Sequence, residues 1–245
     1  MKNLKEFYRK VDDINLYSIK SPVFNYRKSE FIQMLKKHKH LFGRKALDVG
    51  CGGGVSSFAL EELGLDVTGI DIQEEMIRKA KEAAHLLKSK VKFIVGDIET
   101  INLDEKFDSV FLLGNVIAHI SITKFNNIIS KIKELLTDNG VLVIHYFDTI
   151  SEIWNRDFFI KSPQMVAKEV YFTYDSDGGY VNITLIEKQL RDDLYEAVRF
   201  KLYIWAPWIL QNFLKFQSFS LLGREYLPRN AYLDIYEKNR LVKNK

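Results

Sequence analysis

The sequence predicts an α/β fold: one doubly wound, mostly parallel seven-stranded sheet, with an antiparallel β insertion after the fifth strand. Three observations carry that prediction. Across roughly the first 150 residues, short apolar runs alternate with amphipathic stretches, the pattern of strands joined by right-handed crossover helices. Those runs are continuously apolar, as strands covered on both faces are. Beyond them the pattern switches to period-two alternation punctuated by turn residues, the pattern of an antiparallel meander.

Taken in order, residues 4–17 and 29–41 read as helices, the second with Phe31, Ile32, Leu35 and Leu41 at near-helical spacing. Between them, SPVFNYRKS reads as a turn around Pro22. Lys45–Val49 is the first strand; it breaks into Gly50–Gly54, and Val55–Leu63 reads as a helix stopped by Gly64. Asp66–Ile70 is the second strand, and Gln73–Leu87 an amphipathic helix with Met76, Ile77, Ala80, Ala83, Ala84 and Leu87 on its apolar side. Val91–Val95 and Phe107–Leu113 are the third and fourth strands. A helix from Ile122 to Leu136 follows, then a turn at Asp138-Asn139-Gly140 and the fifth strand, Val141–Tyr146.

In the insertion, Lys168–Tyr174, Tyr180–Leu190 and Glu196–Trp205 are extended, with turns at Asp175–Gly179 and Arg191–Leu194. Pro207–Phe216 is a helix with proline at its start, and Phe219–Leu227 and Tyr232–Glu237 form a closing hairpin. The chain thus divides into an N-terminal helical cap (1–42), a ligand-binding core (43–150), an insertion expected to cover the substrate (151–205) and a closing helix and hairpin (206–245).

Composition excludes several classes. The 245 residues are 47% hydrophobic and 28% charged, ordinary for a globular chain. No run approaches the roughly 18 apolar residues of a membrane span, and MKNLKEFYRKVDD lacks the apolar core of a secretory signal. Cys51 is the only cysteine, so no intramolecular disulfide forms and a reducing, cytoplasmic location is expected. The net charge of +4 is not gathered into a basic tail, and so weakly basic a balance is weak evidence for a nucleic-acid partner.

The ligand is read from ALDVGCGGGVSSFALEELGLDVTGIDI, residues 46–72. Bare glycines between a strand and a helix let a ligand approach the backbone, and helix-start amides offer donors. Asp71, at the end of the second strand, is placed to accept both hydroxyls of a ribose. A dinucleotide, a nucleotide and S-adenosylmethionine all match so far. A dinucleotide fingerprint needs a third glycine where Val55 stands, and a phosphate loop needs a lysine that is absent. Asp48 adds negative charge near the loop, which suits an ammonium or a sulfonium better than a pyrophosphate.

Asp48-Val49-Gly50-Cys51-Gly52-Gly53-Gly54 resembles motif I of class I S-adenosylmethionine-dependent methyltransferases, a family with a Rossmann-like fold. Asp71 looks like their ribose-binding acid, with Ile72 and Met76 following it. Gly96-Asp97-Ile98 looks like their adenine-contacting segment, and Leu112-Leu113-Gly114-Asn115 like the end of their fourth strand. Leu136-Thr137-Asp138-Asn139-Gly140-Val141-Leu142 is similar to their stretch before strand five.

Within the family, Leu113-Gly114-Asn115-Val116-Ile117-Ala118-His119-Ile120 is similar to a segment of the glycine N-methyltransferase-type small-molecule enzymes. Arg27 sits where those enzymes carry an arginine that grips the methionine carboxylate, work that suits a guanidinium. The resemblance implies S-adenosylmethionine as cofactor, held by Arg27, Asp48, Gly50, Cys51, Gly52, Asp71, Ile72, Met76, Asp97, Ile98 and Leu113, with no metal. The insertion does not match that subfamily, so no substrate carries over.

Methyl transfer from a sulfonium is an in-line displacement, so the protein mainly aligns the acceptor and excludes water. The expected acceptor is a nitrogen or oxygen of a small molecule. Asn115, His119 and Tyr146 are the candidates to position it; of His145 and Tyr146, alternation lets only one face the crevice, and Tyr146 is taken. Tyr8 and Tyr17 are candidate lid residues, and His38, His40 and His85 read as solvated. The insertion's aromatics (Tyr171, Phe172, Tyr174, Tyr180, Tyr195, Phe200, Tyr203, Trp205 and, just beyond, Trp208) offer an apolar wall and a surface for oligomer contact. An RNA or protein acceptor is the alternative. Methyltransferases that act on nucleic-acid amines carry a proline-containing segment where Gly114-Asn115-Val116-Ile117 stands here, which argues against nucleic acid. A third class is a non-catalytic binding module.

Overall fold

The computed structural model describes residues 19–154, 165–187 and 197–239. The expected helix 4–17, with Tyr8 and Tyr17, and the turn at 191–194 lie outside them. The described chain runs α1 (Pro22–Lys36), β1 (Lys45–Val49), α2 (Val55–Glu62), β2 (Asp66–Asp71), α3 (Glu74–Leu87), β3 (Lys92–Val95), β4 (Phe107–Leu112), α4 (Ile122–Leu135) and β5 (Leu136–Phe147). It continues through α5 (Thr149–Trp154), β6 (Met165–Asp175), β7 (Gly178–Glu187), β8 (Ala197–Tyr203), α6 (Pro207–Phe216), β9 (Phe219–Leu227) and β10 (Ala231–Lys238).

Seven strands form one sheet in the order β3-β2-β1-β4-β5-β10-β9. β1 to β5 are parallel, and β10 runs antiparallel beside both β5 and β9. The strand order reverses between β1 and β4, which opens a crevice at their C-terminal ends. Helices cover both faces. Phe24, Phe31 and Leu35 of α1, with α2 and α3, pack on Phe111, Val143 and Leu233. Phe125 and Ile129 of α4 and Leu210 of α6 pack on Val110, Ile144, Tyr146 and Tyr236 on the other face. β6, β7 and β8 form the separate antiparallel sheet expected of the insertion.

Two local readings are corrected and one element is added. Pro22 does not make a turn: it opens α1, with Ser21 as N-cap accepting from the Val23 amide. Proline fits the first turn because no intrahelical donor is needed there. The helix therefore begins a full two turns earlier than the apolar spacing suggests. Asp138-Asn139-Gly140 does not separate α4 from β5 either; β5 starts at Leu136, opposite Phe107, and the register shifts before Val141 pairs with Ser109. The three residues are taken up inside the strand. Finally, the short α5 has no apolar period to announce it, and rests on Asp148 accepting from the Ile150 and Ser151 amides.

The insertion returns to the core. The Asp175–Gly178 tip reaches the start of α4, where the Ile122 amide donates to the Asp177 carbonyl at 3.4 Å. Among the described residues no helix is long and apolar enough to cross a membrane.

Candidate functional site

The glycine loop is shaped from beneath. The amides of Gly50 and Cys51 both donate to the Ile70 carbonyl, at 2.8 and 3.0 Å, folding the loop over the end of β2. Gly54, the residue before α2, has φ +88, and a Cβ there would stand 2.8 Å from the Phe93 ring. Only glycine meets both conditions.

Asp71 joins β2 to this loop. One carboxylate oxygen accepts from the Gly52 amide at 2.9 Å and the other from the Gln73 amide at 2.8 Å. Burial pushes its carboxyl above the usual carboxylate range, and the two amides act in the opposite direction. Each oxygen keeps a further lone pair for a hydroxyl donor.

Asp48 is fully buried under the loop and does not border the cavity. One of its oxygens accepts from the hydroxyls of Ser56 and Ser57, both at 2.6 Å, which fixes the first turn of α2. Burial raises its carboxyl to about 6. The Cys51 thiol borders the cavity but is held protonated: burial, then the charges of Asp48 and Asp71, push it well above its ordinary value.

A cavity of about 220 Å³ lies along the C-terminal ends of β1 to β4. Gly50, Cys51 and Gly52 form its floor. Asp71, Ile72 and Met76 form one wall, and Asp97 and Ile98 the far end. Leu113 and Gly114 flank the near end with Arg27 and Phe31 of α1. Arg27 and Phe31 are one helical turn apart and share a face, a pairing that only the earlier start of α1 makes regular. His119, Lys124 and Ile128 close the side next to α4. Of the expected residues, Asp48, Asn115 and Tyr146 do not border this cavity.

Asn115, at φ 69, ties two strand ends together: its amide donates to the His145 carbonyl at 3.1 Å, and its side-chain oxygen accepts from the Phe147 amide at 3.2 Å. His119 ends a 3-10 turn, Val116–His119, and burial lowers its imidazole to about 4. That turn is held by Trp205, whose indole N–H donates to the Ile120 carbonyl at 3.1 Å.

The expectation for Tyr146 is corrected. Its hydroxyl donates to Asp234 at 3.0 Å in a buried cluster with Tyr236 and Arg224, on the sheet face away from α1. Strand alternation places His145 on the α1 face instead. There the Gly114 amide donates to His145 Nδ1 at 3.2 Å, and the ring stands edge-on to Phe31. Burial, then the Arg27 charge, lowers His145 to about 4, so both imidazoles are neutral at neutral pH.

Other expectations divide. Trp205 is buried, whereas Tyr174 and Trp208 are exposed, and Tyr180 meets Tyr203 edge to face. The side chains of Tyr171, Phe172, Tyr195 and Phe200 lie outside the described residues. His38 is not simply solvated, since its Nε2 lies 3.2 Å from Glu225. Sequence reading passed over Phe31, Lys124 and Ile128 as site residues. The last two are four apart on α4, a spacing that puts them on one face.

The sequence matches the family model described as "Methyltransferase domain" over residues 42–197. Curated relatives are similar over part of their length. The ubiquinone biosynthesis O-methyltransferase of Haemophilus ducreyi is 33% identical over 129 residues, 50% of this chain and 53% of that protein. The mitochondrial ubiquinone biosynthesis O-methyltransferase of Schizosaccharomyces pombe is 30% identical over 126 residues, 50% of this chain and 45% of that protein. The chain thus spans about half the length of the curated relatives it matches. Among solved structures, the PH0226 protein of Pyrococcus horikoshii OT3 superposes with a TM-score of 0.79 at 26% identity, over 96% of this chain and 99% of that one. An S-adenosylmethionine-dependent methyltransferase of Clostridium acetobutylicum shares the fold, with a TM-score of 0.69 at 15% identity over 95% of this chain and 99% of that chain.

Proposed function

The chain belongs to the methyltransferase domain family, and from that premise we propose that it transfers a methyl group from S-adenosylmethionine to an oxygen of a small-molecule acceptor. The observation that carries this reading is one cavity bordered by the carboxylates of Asp71 and Asp97 and the guanidinium of Arg27, with bare backbone at Gly50 and Gly52 between them.

That donor and acceptor set fits the cofactor group by group. Asp71 accepts from ribose hydroxyls, Asp97 accepts from the adenine amine, and Arg27 binds the methionine carboxylate. Ile72, Met76, Ile98 and Leu113 supply apolar contact. Asp48 acts from beneath, by holding α2 through Ser56 and Ser57. S-adenosylmethionine, when bound, supplies a methyl group already activated on a sulfonium sulfur.

The protein's part is then alignment and exclusion of water. Asn115 sets the distance between the ends of β4 and β5, and His119, which borders the cavity, offers a neutral imidazole to the acceptor side. The β6–β7–β8 sheet serves as the acceptor's cover, and α1 caps the cavity through Arg27 and Phe31. Oxygen is favoured because the curated relatives carry O-methyltransferase names. Nitrogen remains the second reading on one observation, the likeness of Leu113–Ile120 to the glycine N-methyltransferase-type segment. The acceptor is a small molecule, and no nucleic acid or membrane partner is assigned.

The test is release of S-adenosylhomocysteine from S-adenosylmethionine, with phenols, catechols, carboxylates and small amines offered as separate acceptor pools. Turnover with a hydroxylated pool is the expected result. Tight binding of S-adenosylhomocysteine without turnover on any pool, on RNA or on protein would make the chain a binding module.

A further inference from the structure

The far end of the cavity holds a cation that the cofactor reading does not use. Lys124, in the first turn of α4, borders the cavity beside Asp97. Its ammonium lies 3.1 Å from Glu99 Oε2 and 3.6 Å from Asp97 Oδ2. Burial works against its charge, but the carboxylates of Glu99 and Asp97 outweigh it, and its pKa is raised. The backbone of Lys124 has a separate task, donating to the N-cap hydroxyl of Ser121. Its position therefore does not depend on the ion pairs.

Two carboxylates two residues apart on one loop repel each other unless a cation stands between them. Each is also oriented from its other side. Asp97 Oδ1 accepts from the Glu99 amide at 3.1 Å, and Glu99 Oε1 accepts from Asn127 Nδ2 at 3.2 Å. Lys124 and Asn127 are three apart on α4, so one helix face grips the whole Asp97–Glu99 turn.

We propose that Lys124 is a positioning residue that sets cofactor specificity, by holding the Asp97 carboxylate in the orientation that accepts a purine's exocyclic 6-amino group. This rests on the S-adenosylmethionine reading of the cavity and deepens it at the base-recognition end. A 6-amino purine donates to Asp97. A 6-oxo purine presents an acceptor to that carboxylate and is repelled, provided the carboxylate is fixed. A carboxylate freed from Lys124 turns away, and the penalty on the 6-oxo base shrinks.

The experiment compares binding of S-adenosylhomocysteine with that of its 6-oxo analogue, S-inosylhomocysteine, to the full chain and to Lys124→Met and Lys124→Arg. Lys124 is partly exposed and its backbone bond survives substitution, so both variants fold. Wild type prefers the amino compound. Lys124→Met lowers that preference by roughly fivefold, the scale of a half-exposed ion pair, and Lys124→Arg restores most of it. Equal losses for both ligands in Lys124→Met, or an unchanged preference, overturn the proposal while leaving the cofactor reading intact. Failure of wild type to bind either ligand overturns the cofactor reading, and this proposal with it.

Discussion

Asp71 at the end of β2 and Gly52 in the loop after β1 are joined directly: the Gly52 amide donates to the Asp71 carboxylate at 2.9 Å. One side chain thus shapes the floor of the cavity and offers its remaining lone pairs to the ligand. Asp71→Ala removes both functions. It is expected to weaken S-adenosylhomocysteine binding by about 2 kcal/mol or more, because ribose hydroxyls lose their acceptor and the Gly52 amide its partner. Titration calorimetry measures the loss, and an unchanged affinity would remove Asp71 from the site.

Arg27 borders the end of the cavity next to Gly114, one helical turn from Phe31. Arg27→Ala is expected to weaken S-adenosylhomocysteine by about 1.5–3 kcal/mol, the range for hydrogen bonds to a charged group. Binding of 5′-methylthioadenosine, which has no amino-acid tail, should not change. Equal losses for the two ligands in the same titrations would refute a carboxylate contact.

Asp48 should make stability depend on pH in an unusual direction. Its carboxyl titrates at about 6 in the folded chain against 3.8 ordinarily. Between those values the folded state holds a proton that the unfolded state has lost, so stability falls as pH rises through the window and levels off above it. Asp48→Asn removes the penalty of a buried charge. The variant should exceed the parent by roughly 2–3 kcal/mol above pH 6, with the advantage vanishing towards pH 4. Urea midpoints at the two ends of this range decide it.

Gly54→Ala brings a Cβ to 2.8 Å from the Phe93 ring at a backbone angle of +88. Left-handed strain and overpacking add, and together they should cost about 2–4 kcal/mol. A thermal melt gives the answer; a loss under about 1 kcal/mol would mean that Phe93 has room to retreat.

How far the sequence reveals this site depends on the kind of signal. β1 and α6 match their expected bounds to the residue, because an apolar run ending in glycine or opening on proline marks both the element and its limit. Gly50, Asp71 and Asp97 follow from their places after successive strands. What was hidden depended on orientation. Whether His145 or Tyr146 lies on the α1 face of the sheet turns on a one-residue choice, which Asp234 decides by drawing the Tyr146 hydroxyl into the opposite side. Asp48 looks like a ligand residue by position, yet Ser56 and Ser57, eight and nine residues on, claim its carboxylate. Lys124 carries no signal of its own in the sequence; only α4 laid beside the Asp97 loop brings it to the site.

The hydrogen bond from the Thr149 amide to the Trp205 carbonyl, 2.9 Å long, stitches the point where the chain leaves the sheet to the point where it returns. The insertion is closed at this neck, and its Asp175–Gly178 tip touches the core a second time at Ile122. A shorter or differently patterned segment could be exchanged there without disturbing the pairing of β5 with β10, so the insertion is free to diversify while the sheet beneath it stays constant.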